Sequence, residues 1–364
     1  MNKNSKTGGI VGGLVILIIG IGILWYNEGR AVKTARAISE AKKTYTQVKS
    51  DKVDPKYDGK LIATNGKVDL SASDELVDET FGIKAKSIKL KRTVEMYQWE
   101  ESCETDDKDK EKCTYEKKWS DDLIDSSDFK EEGHKNPDSM PYSEETYLAS
   151  NVKLGAFTLT KELEERLPAD KEVNTQQLTE QFNNKVEGMK ISGKYINNIP
   201  EEGTPVIGSI RISFAYNGTD SASVLAVQND DTFAEYTAKS GKHVYRIKEG
   251  IHTGAVILQD MTDENNFIKW LLRIVGTILI MGGIGSLFGP IQTLANFVPI
   301  LRNIVSFATG LIAFVLGLAI SLLVIAIAWF RFRPILSIVL IAIAIGLIVF
   351  LRLRKPEEAK TESK

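Results

Sequence analysis

The chain has 364 residues, of which 43% are hydrophobic and 26% charged, with a formal net charge of −2. That length allows one or two domains. Near-neutral charge, with no basic runs interleaved with aromatics, removes any bulk electrostatic case for nucleic-acid binding. The average also hides a strong asymmetry: the apolar residues concentrate at the two ends, and the stretch 28–265 is rich in charge.

The first element is an uncharged run from Gly8 to Tyr26. At ~1.5 Å per residue it nearly crosses a hydrocarbon core of ~30 Å. It is longer than the ~7–15 apolar residues of a signal peptide, and no A-x-A cleavage site follows it. Trp25 and Tyr26 suit a membrane interface. Residues 8–26 therefore read as an uncleaved transmembrane anchor. Ala31, Ala35, Ile38 and Ala41 then recur on one helical face, with Arg30, Lys33, Arg36, Glu40, Lys42 and Lys43 around it. An amphipathic helical extension, assigned to 27–50, is expected to continue about three turns past the lipid. It either meets a partner surface or is a short solvated helix.

Residues 51–265 are expected to form an extramembrane α+β domain, rich in β-strand. In "SIKLKRTVEMYQWEE", Ile88, Leu90, Val94 and Met96 fall on one face, interrupted by Arg92, and Tyr97 and Trp99 extend the other. "KCTYEKKW" reads as its return strand across a charged loop. "GSIRISFAY" predicts a strand, "NGTD" a hairpin turn, and "SASVLAVQ" the returning arm. "TFAEYTA" and "KHVYRIK" add two short strands. Helices are expected at Thr160–Arg166 and Asn174–Asn183.

The two cysteines, Cys103 and Cys113, stand on opposite arms of the first hairpin. A disulfide is expected if the arms pair in register, which suits a non-cytosolic domain; two free thiols are the other reading. Catalytic signatures are missing: there is no P-loop, no G-x-G-x-x-G after a strand, no G-x-S-x-G and no H-E-x-x-H. His134, in "EEGHKNP" beside Glu131, Glu132 and Asp138, is either a catalytic or metal corner or, more simply, part of a turn fixed by Gly133, Asn136 and Pro137. No catalytic residue, cofactor or metal is assigned. "NGT" at Asn217 is a glycosylation sequon that matters only in a eukaryotic secretory setting.

Residues 266–351 read as a membrane domain. Spans are expected at about 270–288, 304–330 and 335–351, with an interfacial segment at 290–303 and a polar, disordered tail at 352–364. The fold class is thus a multi-pass α-helical membrane protein with four spans and a large α+β domain between the first two. Arg273 is expected to snorkel. Gln292 and Asn296, spaced i and i+4, line a path or bind lipid headgroups together with Thr309 and Ser321, or simply form a polar face at the water boundary. The small residues of "GTILIMGGIGSLFG" suit close helix packing.

Five words, "NEGRAVKTA", "IKLKRTVEMYQWEE", "GHKNPDSM", "SIRISFAY" and "WFRFRP", resemble the transmembrane protein 43 (LUMA) family in order and spacing across nearly the whole chain. The family-matching positions are Asn27, Glu28, Gly29, Arg30, Glu95, Met96, Tyr97, Gln98, Trp99, Gly133, His134, Lys135, Asn136, Pro137, Arg333 and Pro334. The resemblance implies a structural or interaction role for them. In animal members it implies a luminal domain in ER or nuclear membranes and the organising of membrane-protein complexes, with emerin and lamin partners. This chain's short, lysine-rich style suits a prokaryotic member in the plasma membrane; a eukaryotic one would sit in the ER or inner nuclear membrane. Lys3, Lys6, Arg302, Arg352, Arg354 and Lys355 favour cytosolic termini. The basic cluster from Arg30 to Lys43, with Lys269, Arg273, Arg331 and Arg333, leans the other way under the positive-inside rule. The cysteines and the family layout favour an exported domain. The expected function is a non-enzymatic membrane scaffold that self-assembles through its spans, with membrane lipids, a second copy of itself and other membrane proteins as partners, and no nucleic acid. The alternative is a lipid-binding or channel-like protein using the segment near Gln292 and Asn296.

Overall fold

The structure, a computed structural model, describes residues 3–105, 111–182, 186–200, 203–289, 299–335 and 337–338. The chain divides into two units: Met1–Lys43 with Thr237–His243 and Leu258–Lys364, and Thr44–Tyr236 with Val244–Ile257. The anchor and its charged continuation form one unbroken helix, α1 (Lys3–Thr44). It stops six residues short of the predicted end at 50. Thr44, Tyr45, Thr46 and Val48 are β-branched or aromatic and favour strand, and strand β1 (Thr46–Gln47) follows at once.

The second unit is built from strands. In chain order these continue as β2 (Leu61–Asp69), β3 (Leu76–Asp78), β4 (Ile83–Ala85), β5 (Lys89–Thr105) and β6 (Glu111–Ser120). Next come β7 (Glu145–Leu148), β8 (Lys153–Leu154) and β9 (Phe157–Thr158). Helix α2 (Lys161–Arg166) starts at the N-cap Thr160, whose hydroxyl accepts from Leu163 N. After β10 (Lys171–Glu172), α3 (Thr175–Gln181) opens on a full capping box between Asn174 and Gln177. Then follow β11 (Lys190–Ser192), β12 (Tyr195–Asn197), β13 (Ile210–Tyr216), β14 (Ser221–Asn229) and β15 (Thr232–Ala234). The last are β16 (Tyr236–Thr237), β17 (His243–Val244) and β18 (Arg246–Glu249).

One seven-stranded sheet has the order β15-β14-β2-β8-β9, with β1 on β2 and β18 on β14. The other has the order β11-β12-β13-β5-β6, with β10 on β13 and β7 on β5. Both contribute to a single apolar core: Ile62, Val224 and Leu154 from the first, Leu90, Val94, Met96, Ile212 and Phe214 from the second. The β5–β6 hairpin forms in register, Cys103 opposite Cys113.

The predicted "NGTD" hairpin is not one. β13 pairs with β5 and β14 pairs with β2, so the chain changes sheet at this turn. Turn residues reverse the chain without choosing the next strand's neighbour. Asn217 is buried, and its amide donates to Pro168 O at 2.7 Å and Glu249 Oε1 at 2.5 Å. A glycan on that nitrogen would replace one of these two donor hydrogens.

Helix α4 (Gly254–Leu287) contains the predicted second span but starts well before residue 270. Its first turns bury Ile257, Leu258, Met261 and Asn265 at helical spacing. Helix α5 (Pro299–Phe332) takes in residues 299–303, which were expected in the interfacial segment. Pro299 is tolerated at a first helical position because its missing N–H is an orphan there. Among the described residues, three helices are thus long and apolar enough to cross a membrane. Their outer faces expose Ile18, Ile278 and Leu323, while Leu24, Ile280, Ile284, Ala313 and Val324 form an inner core. Gln292 and Asn296, the rest of the interfacial segment, the tail and nearly all of the predicted fourth span lie outside the described residues.

Candidate functional site

The polar word "NEGR" stands immediately after the anchor's last aromatic, where hydrocarbon gives way to charge. In the structure its side chains turn inward. Glu28 is completely buried. Its Oε1 accepts from Arg273 Nε of α4 at 2.6 Å, and its Oε2 from Trp329 Nε1 of α5 at 2.9 Å. One carboxylate thereby ties three helices, and each oxygen has a charged or polar donor. Such a pair is worth most where water is excluded, and leaving either partner alone there is expensive. The Arg273 guanidinium also lies 4.9 Å from the Trp270 ring and 5.8 Å from Trp329.

The neighbours complete the clamp. Asn27 donates to Lys269 O at 2.8 Å, and Asn265 donates to Ala31 O at 3.1 Å. Arg30 donates to Asn265 Oδ1 and to Asn27 Oδ1. Arg36 donates to Phe332 O at 2.8 Å. Gly29 leaves room for the Phe332 ring: a Cβ there would stand 2.8 Å from it. Two of the family-matching words, "NEGR" and "WFRFRP", therefore meet.

Helices α1 and α4 also approach each other closely. Cβ atoms at Gly13 and Gly20 would lie 2.9 Å from the carbonyls of Gly283 and Gly276, respectively. Gly13–Gly283, Gly20–Gly276 and Asn27–Lys269 follow one another at heptad steps along antiparallel helices. This is small-residue packing of the kind membranes favour. Thr309 and Ser321 bond back to Val305 O and Gly317 O of their own helix.

A second convergence lies in the β-rich unit. Asn136 is buried; its Oδ1 accepts from Trp99 N at 2.7 Å and its Nδ2 donates to Trp99 O at 2.8 Å. Gln98 accepts from Ile124 N and donates to Asp122 O. His134 stacks on Tyr115 at 3.9 Å and meets Trp99 edge-on at 4.5 Å. Gly133 has φ +91, which fixes the turn. "GHKNP" is thus a loop latched onto the β5–β6 hairpin. It borders a cleft of about 630 Å³ lined by Phe129, Glu131, His134 and Asp138 among others. Lys135 pairs only with Asp138, at 3.8 Å and well exposed, and Pro137 contacts the Gly208 turn. Glu95 holds Arg211 through two bonds of 2.7 Å, and Arg211 lies 4.5 Å from the Trp119 ring that pairs with Tyr97. Met96 is core.

Cys103 and Cys113 are joined by a disulfide with Cα atoms 4.0 Å apart. Among the described residues the one group of potential metal ligands is Glu101 with these two cysteines, whose sulfurs are already bonded to each other. Tyr115 donates to Glu101, and this bond, followed by Lys130 N, holds the Glu101 carboxyl below the usual range. The sequence reading missed the Arg92 network. Arg92, taken as an interruption, is buried and bonded to Asp78, Glu145 and Ser143 O. Asp78 also accepts from Phe81 N and the Tyr147 hydroxyl, and burial followed by that charge pushes the Tyr147 phenol up. The lone arginine on an apolar strand face was its only signal.

The model of the family described as Transmembrane protein 43 matches residues 96–334. The mouse protein named Transmembrane protein 43 is 28% identical over 97% of this chain and 92% of its own length, and the human one is 27% identical over the same shares. A Transmembrane protein 43 homolog from Drosophila melanogaster is 26% identical over 75% of this chain and 74% of its own. No solved structure matches. With three membrane-length helices, a large β-rich domain and a family model covering most of its residues, the chain belongs to the transmembrane protein 43 family.

Proposed function

We propose that this protein is a non-enzymatic membrane scaffold that self-assembles through its spans and presents an exported β-rich domain to other membrane proteins. The observation that carries this reading is the closure of the Glu28 clamp. Both carboxylate oxygens and the Arg273 Nε are used in holding helices together. An ionisable group inside a membrane usually marks a pathway or a proton relay; here it is spent on architecture. The latched "GHKNP" loop points the same way, since His134 is packed against the Tyr115 and Trp99 rings. The cross-strand disulfide supports export, because such bonds persist in oxidising compartments. The tight "RFRP" link and the apolar run after it support a fourth span.

The test is the mass of the full chain extracted at native expression levels in mild detergent. Particles of several copies are expected; a strictly monomeric species overturns self-assembly. After reduction, an impermeant thiol reagent should label Cys103 and Cys113 from the outside of intact cells if the protein is in a plasma membrane. Protection there overturns a cell-surface domain.

A further inference from the structure

We propose that the polar end of the helical unit binds the phosphate of an anionic phospholipid, with Lys269 and Arg333 as its donors. Depth comes first. Trp25, Tyr26, Phe267, Trp270 and Phe330 are all exposed, and they sit on three helices beside the Glu28 clamp. Exposed aromatics at helix ends mark headgroup level, so the cations beside them stand where lipid phosphates are.

Charge comes second. The clamp's own carboxylate is consumed internally by Arg273 and Trp329. Arg30 donates through both terminal nitrogens to two asparagines and has Glu264 nearby. Lys269 stands in the field of Arg273, Arg333 and Arg30, with Glu28 as the opposing charge. Its ammonium donates only to the neutral Asn266, at 2.8 Å. The Arg333 guanidinium lies 5.7 Å from the Trp329 ring. Neither cation has a carboxylate partner among the described residues. Lys269 stands one turn before Arg273 on α4 and Arg333 one turn after Trp329 at the end of α5, so both cations flank the Glu28 clamp, and an anion at that end is attracted by both. At this depth the available anion is a lipid phosphate, which accepts from an ammonium and a guanidinium at once. This reading is independent of self-assembly, since one copy carries the whole site.

The experiment is native mass spectrometry of the full chain, released from detergent containing equal phosphatidylglycerol and phosphatidylcholine. The wild type should retain phosphatidylglycerol preferentially. Lys269→Gln and Arg333→Gln should each lower that preference about fivefold, and the pair should nearly abolish it. Lys269→Arg with Arg333→Lys should keep it, which separates charge from folding. Lys117→Gln with Lys118→Gln, on β6, should also keep it. Equal retention of both lipids by the wild type, or unchanged preference in the double Gln variant, overturns the proposal. Displacement of the lipid by millimolar inorganic phosphate would also overturn it, by making the site one for free phosphate. Should the double Gln variant fail to fold, the single Arg333→Gln variant decides.

Discussion

Glu28 shows how one buried side chain can tie three helices together. Replacing it by Ala leaves the Arg273 guanidinium, 12% exposed, without its counter-charge. Breaking a buried pair from one side costs about 3–5 kcal/mol. Glu28→Ala should therefore lower the thermal midpoint in detergent sharply, while Glu28→Gln, still able to accept from Trp329, should lower it less. Equal losses would show that the charge alone, and not the acceptor for Trp329, holds the clamp. Glu164, at the other extreme, is a buried carboxylate whose pKa is raised by desolvation, with Lys161 only partly opposing. A raised folded-state pKa means that its favourable contribution is complete below the ordinary value of 4.5 and is lost as pH climbs through the folded value. Glu164→Gln should then match the wild type at acid pH and become the more stable protein toward pH 7, measured as unfolding midpoints across that range. The residue scale is also where sequence reading was weakest. Arg273 and Glu28 are 245 positions apart, and no local pattern announces such a partner. Arg92 looked like an error on an apolar face because Asp78 lies outside its strand.

Elements were more legible, because periodicity and caps are local. The alternation around Val94 and Met96 pointed to β5, the two short helices were expected close to where they form, and the disulfide was expected on condition that the hairpin arms pair in register, which they do. Sheet membership was not legible: β13 and β14 are neighbours in sequence with a good turn between them, yet long-range pairing separates them. Two predictions belong at this scale. Gly13→Ala and Gly20→Ala each place a Cβ within 3 Å of a facing carbonyl, so each should cost about 1–3 kcal/mol. Gly12→Ala and Gly22→Ala meet nothing within 4 Å and should be neutral or slightly stabilising in the same thermal assay. A uniform response would mean that the glycines do not form a seam. Cys103 and Cys113 close a short loop of sequence separation 10. Loop-closure entropy puts the loss on changing both to Ser at about 2–3 kcal/mol, readable as a lower urea midpoint with unchanged slope.

At the scale of the whole molecule, composition alone separates an apolar, lipid-facing part from a charged, β-rich one, and the structure divides along those lines. The helical part gathers a cluster of buried polar side chains, Asn27, Glu28 and Asn265, at one end. The glycine contacts and the polar clamp there share a single antiparallel register between α1 and α4, from Gly13–Gly283 through Gly20–Gly276 to Asn27–Lys269. They act as two marks on one ruler. One residue inserted between Gly20 and Asn27 rotates everything beyond it by about 100° and advances it ~1.5 Å. The helices can then satisfy the glycines or the carboxylate, but not both. Such an insertion, though wholly apolar and harmless to hydropathy, should destabilise the protein as much as losing Glu28 itself. Inserting a full heptad restores the azimuth of both marks but leaves them about 10 Å too far apart. Only a matching heptad in α4, between Lys269 and Gly276, should bring the midpoint back, so the spacing between the two marks, more than the residues that fill it, is what the two helices hold in common.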